Sequence, residues 1–102
     1  MRRGWLKIKN EILGGKYDLS VAFLNSLTIK ELNRRYRKKS YPADVLSFPL
    51  SDSEGEILIN KKYRNNKNYA DFLFIHSLLH LKGYKHGAKM ELEERKIIKK
   101  VI

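Results

Sequence analysis

Cysteine is absent from the 102 residues of this chain. That excludes disulfides, thiolate metal sites and cysteine nucleophiles. Acids are scarce, 11 against 22 lysines and arginines, which leaves a formal charge of +11. An excess of that size on so short a chain points to a polyanionic partner, nucleic acid first. No apolar run is long enough to span a bilayer: the most apolar stretch, Phe72 to Leu81, is short and interrupted by histidines. The N-terminus begins with cations as a signal peptide would, but Lys7, Lys9, Asn10 and Glu11 break the apolar core that such a peptide needs. A cytoplasmic protein without membrane association is therefore expected. Repeats, linkers and low-complexity tracts are missing too. At 42% hydrophobic residues, the composition fits one small globular domain covering 1–102.

Histidine is missing everywhere except residues 76–86, where His76, His80 and His86 follow the spacing H-x-x-x-H-x-x-G-x-x-H. On a helix, residues four apart stack on one face, so His76 and His80 can reach one ion. A third ligand on the same straight helix would lie too far along the axis. Gly83 lets the chain turn back, because glycine adopts the left-handed conformation that ends helices. His86 then completes a three-imidazole set for one divalent ion, zinc by preference, with a coordination position left open for chemistry. Metzincin peptidases share this spacing but carry Glu directly after the first histidine as general base. Here that position is Ser77, which cannot serve as a base near neutral pH, so a peptidase is disfavoured.

The cations cluster. Arg34, Arg35, Arg37, Lys38 and Lys39 fall within one short segment, and Lys61, Lys62, Arg64 and Lys67 form a second group. Arginine suits phosphate because its planar fork donates two parallel hydrogen bonds. By itself Arg37 reads as a surface arginine or as one paired with Glu54 or Glu56. Tyr36, Tyr41 and Tyr84 could stack on bases, although core packing is the commoner fate of tyrosine.

Apolar periodicity predicts a helix from about residue 3 to 13 on Trp5, Leu6, Ile8, Ile12 and Leu13, ended by Gly14 and Gly15. Residues 17–24 alternate, with Tyr17, Leu19, Val21 and Phe23 on one face of a strand. A helix capped by Thr28, with Glu31 three residues on and Leu27 packed on Leu32, should run to about Lys38 and stop before Pro42. Strands follow at 44–50, where Pro49 marks an edge or a break, and at 56–60 after a turn at 51–55. Asn68, with Asp71, should cap a core helix over 69–82. Its histidine face holds Tyr69, Phe72 and Leu73, and Phe74, Ile75, Leu78 and Leu81 lie opposite, towards the sheet. A last helix covers 88–102, with Glu91, Glu93 and Glu94 early and Lys96, Lys99 and Lys100 late, which suits the helix dipole.

Three blocks then occur in order. Residues 32–49 carry Leu32, Asn33, Tyr36, Arg37, Pro42, Asp44, Val45, Leu46, Ser47, Phe48 and Pro49; residues 55–59 carry Gly55, Glu56 and Ile57; the histidine block comes last. Together they resemble the YbeY family of zinc-dependent single-strand endoribonucleases. The resemblance implies an α+β fold, a small mixed sheet of about three strands packed on a central metal-binding helix with flanking helices. It implies zinc, one ion per chain, held by His76, His80 and His86, with Arg37 as the functional arginine stabilising the phosphate. It also implies maturation of the 3′ end of small-subunit ribosomal RNA, ribosome quality control, and single-stranded or ribosomal RNA and the small ribosomal subunit as partners. Arg34, Arg35, Lys38 and Lys39 would hold backbone phosphates and make binding salt-dependent. Attack by zinc-activated water and attack by the ribose 2′-hydroxyl, with zinc as Lewis acid, both remain open. The alternative is a non-catalytic zinc-containing assembly factor that binds RNA or the ribosome.

The chain departs from the family pattern at Ser77 (usually glycine), at Lys85 and Ser40 (usually aspartate) and at Ala43 (usually threonine). Lys85 removes a carboxylate beside the third ligand and adds positive charge there. Asp44 and Ser47 fit groups supporting the metal ligands as well as they fit a cap and a turn. The chain is also short for the family, without the usual first strand before the N-terminal helix, which would leave a sheet edge exposed.

Overall fold

The computed structural model describes residues 2–101. Three strands form one mixed sheet in the order β1-β3-β2: β1 (Asp18–Leu24) runs parallel to β3 (Glu54–Asn60), and β2 (Val45–Ser51) runs antiparallel to it. The central strand is the most buried, covered on both faces from Ile57 to Asn60. Side chains alternate across a strand, so Ile57 and Ile59 enter one core and Leu58 the other. The first core is the larger. It joins the sheet to α1 (Trp5–Leu13), α3 (Lys67–Lys82) and α4 (Ala88–Val101) through Trp5, Ile8, Ile12, Phe74, Ile75, Leu78 and Met90. On the other face, Ile29 of α2 (Ser26–Arg37) packs with Leu46 and Leu58. The architecture is therefore α+β, with helices on both faces of a three-stranded sheet. Leu19, Val21 and Phe23 of β1 turn to the larger core, the face that their alternation predicts. Pro49 lies on edge strand β2, whose register slips between Pro49 and Ser51.

Two helix starts differ from expectation. Asn25, not Thr28, caps α2: its side-chain oxygen accepts from the Thr28 N–H at 2.8 Å. Asn66, not Asn68, caps α3, accepting from the Tyr69 N–H at 3.3 Å. In both cases an asparagine stands where the preceding chain is still non-helical, and asparagine is among the strongest N-caps. Leu27 is 80% exposed, so the staple with Leu32 does not form, and Glu31 instead pairs with Arg34 at 2.5 Å. In α1, Leu6 faces solvent rather than the core. Strand β3 begins at Glu54, two residues earlier than the alternation suggested. Ile102, to which the sequence extends the last helix, lies outside the described residues.

Trp5 fixes α1 to α3. Its ring stacks on Phe74, with centroids 4.1 Å apart and planes 6° from parallel, and its indole N–H donates to Asp71 at 2.8 Å. The connection from α2 to β2 is held by side-chain amides. Asn33 donates to the Tyr41 carbonyl at 2.7 Å, and Asn60 donates to the Ala43 carbonyl at 3.3 Å. Asp44 then accepts from the hydroxyls of Tyr63 at 2.9 Å and Tyr69 at 2.5 Å. These bonds place residues 41–44 as one wall of a groove whose other wall is α3.

Candidate functional site

Helix α3 places His76 and His80 one turn apart, and Gly83 ends it in the left-handed region at φ 115°. The Gly83 N–H donates to the His80 carbonyl and the Tyr84 N–H to that of Leu79, each at 3.0 Å. This reversal brings His86 back over the helix. Its ring centroid lies 5.0 Å from that of His76 and 4.5 Å from that of His80. One ligand atom from each of the three histidines falls within 4.8 Å of the others.

Hydrogen bonding decides which nitrogens face inward. His76 Nδ1 lies 2.6 Å from the Glu94 carboxylate, and His80 Nδ1 lies 3.0 Å from the Tyr84 carbonyl. Both acceptors demand a proton on Nδ1, which leaves Nε2 of a neutral ring with a bare lone pair. The two Nε2 atoms face each other at 3.2 Å. Two lone pairs so close repel unless a cation lies between them. Tetrahedral coordination with Zn–N bonds near 2.05 Å would space two ligand nitrogens about 3.3 Å apart. Burial lowers the pKa of His80, against the opposing pull of the Tyr84 carbonyl, and so keeps its ring neutral and able to ligate. The residues present fit a divalent metal with nitrogen preference.

Glu94 was missed by sequence reasoning. It sits on α4, 7% exposed, on the same stripe as buried Met90. A carboxylate behind a ligating histidine fixes its tautomer and raises its basicity. So the loss of an acid at Lys85 does not leave the ligands without carboxylate support; Glu94 provides it from another helix. Among the described residues, neither Asp44 nor Ser47 hydrogen-bonds a histidine. Asp44 is spent on two tyrosine hydroxyls, which pushes the Tyr69 pKa up to about 12, chiefly through that hydrogen bond and then through burial.

The trio opens into a groove of about 760 Å³ between α3 and the β2 edge. Arg37, the last residue of α2, lines the same groove with Tyr41, Asp44 and Ser47. Among the described residues Arg37 forms no ion pair, so the bridge to Glu54 or Glu56 is not made. The neighbouring cations go elsewhere. Arg34 and Arg35 line a separate depression along α2, and Arg34 is engaged by Glu31. Lys38 forms the left-handed cap of α2, and it and Lys39 are exposed. Of the tyrosines, Tyr36 meets Phe48 edge-on and Tyr84 packs on the large core, which leaves Tyr41 in the groove. Ser77, only 1% exposed, also lines the groove, and its Oγ has no partner.

The family model described as "Endoribonuclease YbeY" matches residues 3–101. The chain belongs to the YbeY family. Among its relatives is the endoribonuclease YbeY of Alkaliphilus metalliredigens, 36% identical over 98 residues that cover 76% of this chain and 63% of that protein. The Phytoplasma mali protein of the same name is 39% identical over 95 residues, 81% of this chain and 64% of its own length. The Homo sapiens protein of that name is 30% identical over 117 residues, 90% of this chain and 70% of its own. The chain thus spans less than two thirds of the first two relatives. A solution structure of TM1509 from Thermotoga maritima superimposes with a TM-score of 0.61 at 29% identity, covering 95% of this chain and 78% of that one. The α+β architecture expected from the resemblance is the one observed.

Proposed function

We propose that this chain is a metal-dependent endoribonuclease that cleaves single-stranded RNA in ribosomal RNA maturation. The observation that carries this reading is the placing of three convergent imidazoles and an unpaired arginine in one open groove of a strongly basic chain. Membership of the endoribonuclease YbeY family supports an RNA substrate, and small-subunit rRNA, implied by the sequence resemblance, is the first candidate. Zinc is the ion of choice for three neutral nitrogen donors at this spacing, and it supplies a Lewis acid and activation of water near pH 7.

The chain's own groups divide the remaining work. His76 and His80 hold their lone pairs inward because Glu94 and the Tyr84 carbonyl hold their protons outward. Arg37, which pairs with no acid among the described residues, offers its guanidinium to a phosphodiester lying in the groove and stabilises the charge that develops on it. Among the described residues, no carboxylate lines the groove beside the trio except Asp44, whose oxygens are both engaged by tyrosines. A protein-borne general base of the peptidase kind is therefore lacking among the described groove residues. Arg34, Arg35, Lys38 and Lys39 add a long-range field that concentrates RNA near the groove.

The test pairs metal content with cleavage of a single-stranded RNA. Arg37→Ala should keep stoichiometric zinc and lose about 10²- to 10³-fold in cleavage rate, as removal of a transition-state donor does. His80→Ala should lose both. RNA cleavage by the purified protein that survives both substitutions would sink the proposal.

A further inference from the structure

An aromatic series runs along the groove away from the metal ligands. Phe72 lies 5.7 Å from His76, Tyr69 lies 6.1 Å from Phe72 at 19°, and Tyr63 meets Tyr69 edge-on at 4.6 Å. The Lys62 ammonium sits 5.1 Å over the Tyr63 ring and ends the series. Phe72 and Tyr69 are half-buried and both line the groove. Tyr69 cannot swing away, because its hydroxyl is bound by Asp44.

We propose that Phe72, braced by Tyr69, is a stacking platform for one nucleobase of single-stranded RNA, next to the scissile phosphate. This rests on the endoribonuclease reading and extends it to how the substrate is held. The placing argues for a nucleotide rather than an apolar ligand. Arg37 and the histidines line the groove with the platform, and beyond Tyr69 the Lys62 ammonium lies over the Tyr63 ring. A polyanion whose bases carry π faces matches both features. The rings offer no hydrogen-bond pattern, since the Tyr69 hydroxyl is already engaged, so the platform accepts any base. A base must leave its helical stack to lie there, so the site selects single strands over duplex.

The experiment measures equilibrium binding of a cleavage-resistant 2′-O-methyl phosphorothioate oligonucleotide to zinc-loaded protein. The same backbone carrying abasic residues throughout is the second ligand. Phe72→Leu keeps apolar volume in the fold and removes the π face. It should weaken binding of the base-bearing strand about five- to 150-fold, the range of a lost base–aromatic stack, and leave abasic binding and zinc content unchanged. Tyr69→Phe, which keeps the ring but loses its tether to Asp44, should weaken binding of the base-bearing strand less than Phe72→Leu does and leave abasic binding unchanged. Equal weakening on both strands, or none on either, overturns the platform while the nuclease reading stands. Wild-type protein that binds neither strand overturns both.

Discussion

Replacing Glu94 tests whether the carboxylate behind His76, rather than the imidazole spacing alone, sets the strength of the metal site. The two atoms are 2.6 Å apart and both groups are largely shielded from water, so the bond is short and charge-assisted. In Glu94→Gln the amide oxygen can still accept from Nδ1, which preserves the tautomer but removes the negative charge that makes Nε2 basic. In Glu94→Ala the acceptor itself is gone, and the ring is free to turn. Loss of such an outer partner costs about 10- to 100-fold in metal affinity, or about 1.4–2.7 kcal/mol. Glutamine should fall near the lower bound and alanine near the upper. Competition with a chromogenic chelator gives the affinities directly. A second readout follows from linkage: in excess zinc, the metal-dependent rise in unfolding free energy should shrink by the same amount, while the metal-free fold persists. Zinc affinity in Glu94→Ala equal to that of the wild type would refute the argument, as would a glutamine variant weaker than the alanine one.

Other consequences are equally direct. A Cβ at Gly55 would lie 2.3 Å from the Tyr17 hydroxyl and 3.1 Å from Leu81, so Gly55→Ala should destabilise by about 1–3 kcal/mol in urea denaturation. Tyr17→Phe removes an oxygen that is buried without a partner, so it should be close to neutral alone and recover part of that loss in the double variant. Asn25→Ala, which deletes the α2 cap, should cost about 0.5–2 kcal/mol in the same assay. Tyr69 holds its proton more tightly in the folded state than its ordinary pKa of 10.0 would allow. Its contribution is therefore intact below pH 10 and is lost as the pH rises to about 12. Stability should fall across that window less steeply in Tyr69→Phe, and identical slopes would contradict the Asp44 bond.

Local chemistry was legible in the sequence, and relations between helices were not. The trio of histidines and the glycine reversal follow from helical spacing and from left-handed backbone, which a short window contains in full. The alternation of β1 and the break at Pro49 are equally local. The caps failed because two candidates stood near each start: choosing Asn25 over Thr28 depends on where the preceding strand releases the chain. Glu94 was taken as one of three acids that suit a helix dipole. A signal was nevertheless there, since Met90, Glu94 and Ile98 recur at four-residue spacing, which puts an acid on the apolar face of α4. An acid there needs a buried partner. The basic segment at 34–39 was read as one phosphate-binding unit, but a helix turns successive residues about its axis, so Arg37 reaches the groove while Arg34 and Arg35 face elsewhere.

The single tryptophan gives the molecule a built-in optical probe. Trp5 is enclosed at the seam between the first and third helices, with its N–H tethered to a carboxylate and its face against Phe74. Its emission should be blue-shifted in the native state and move to the red when that seam parts. Helix α3 also carries His76 and His80, so a fluorescence titration can report, without any attached dye, whether loading the ion tightens the scaffold at a distance.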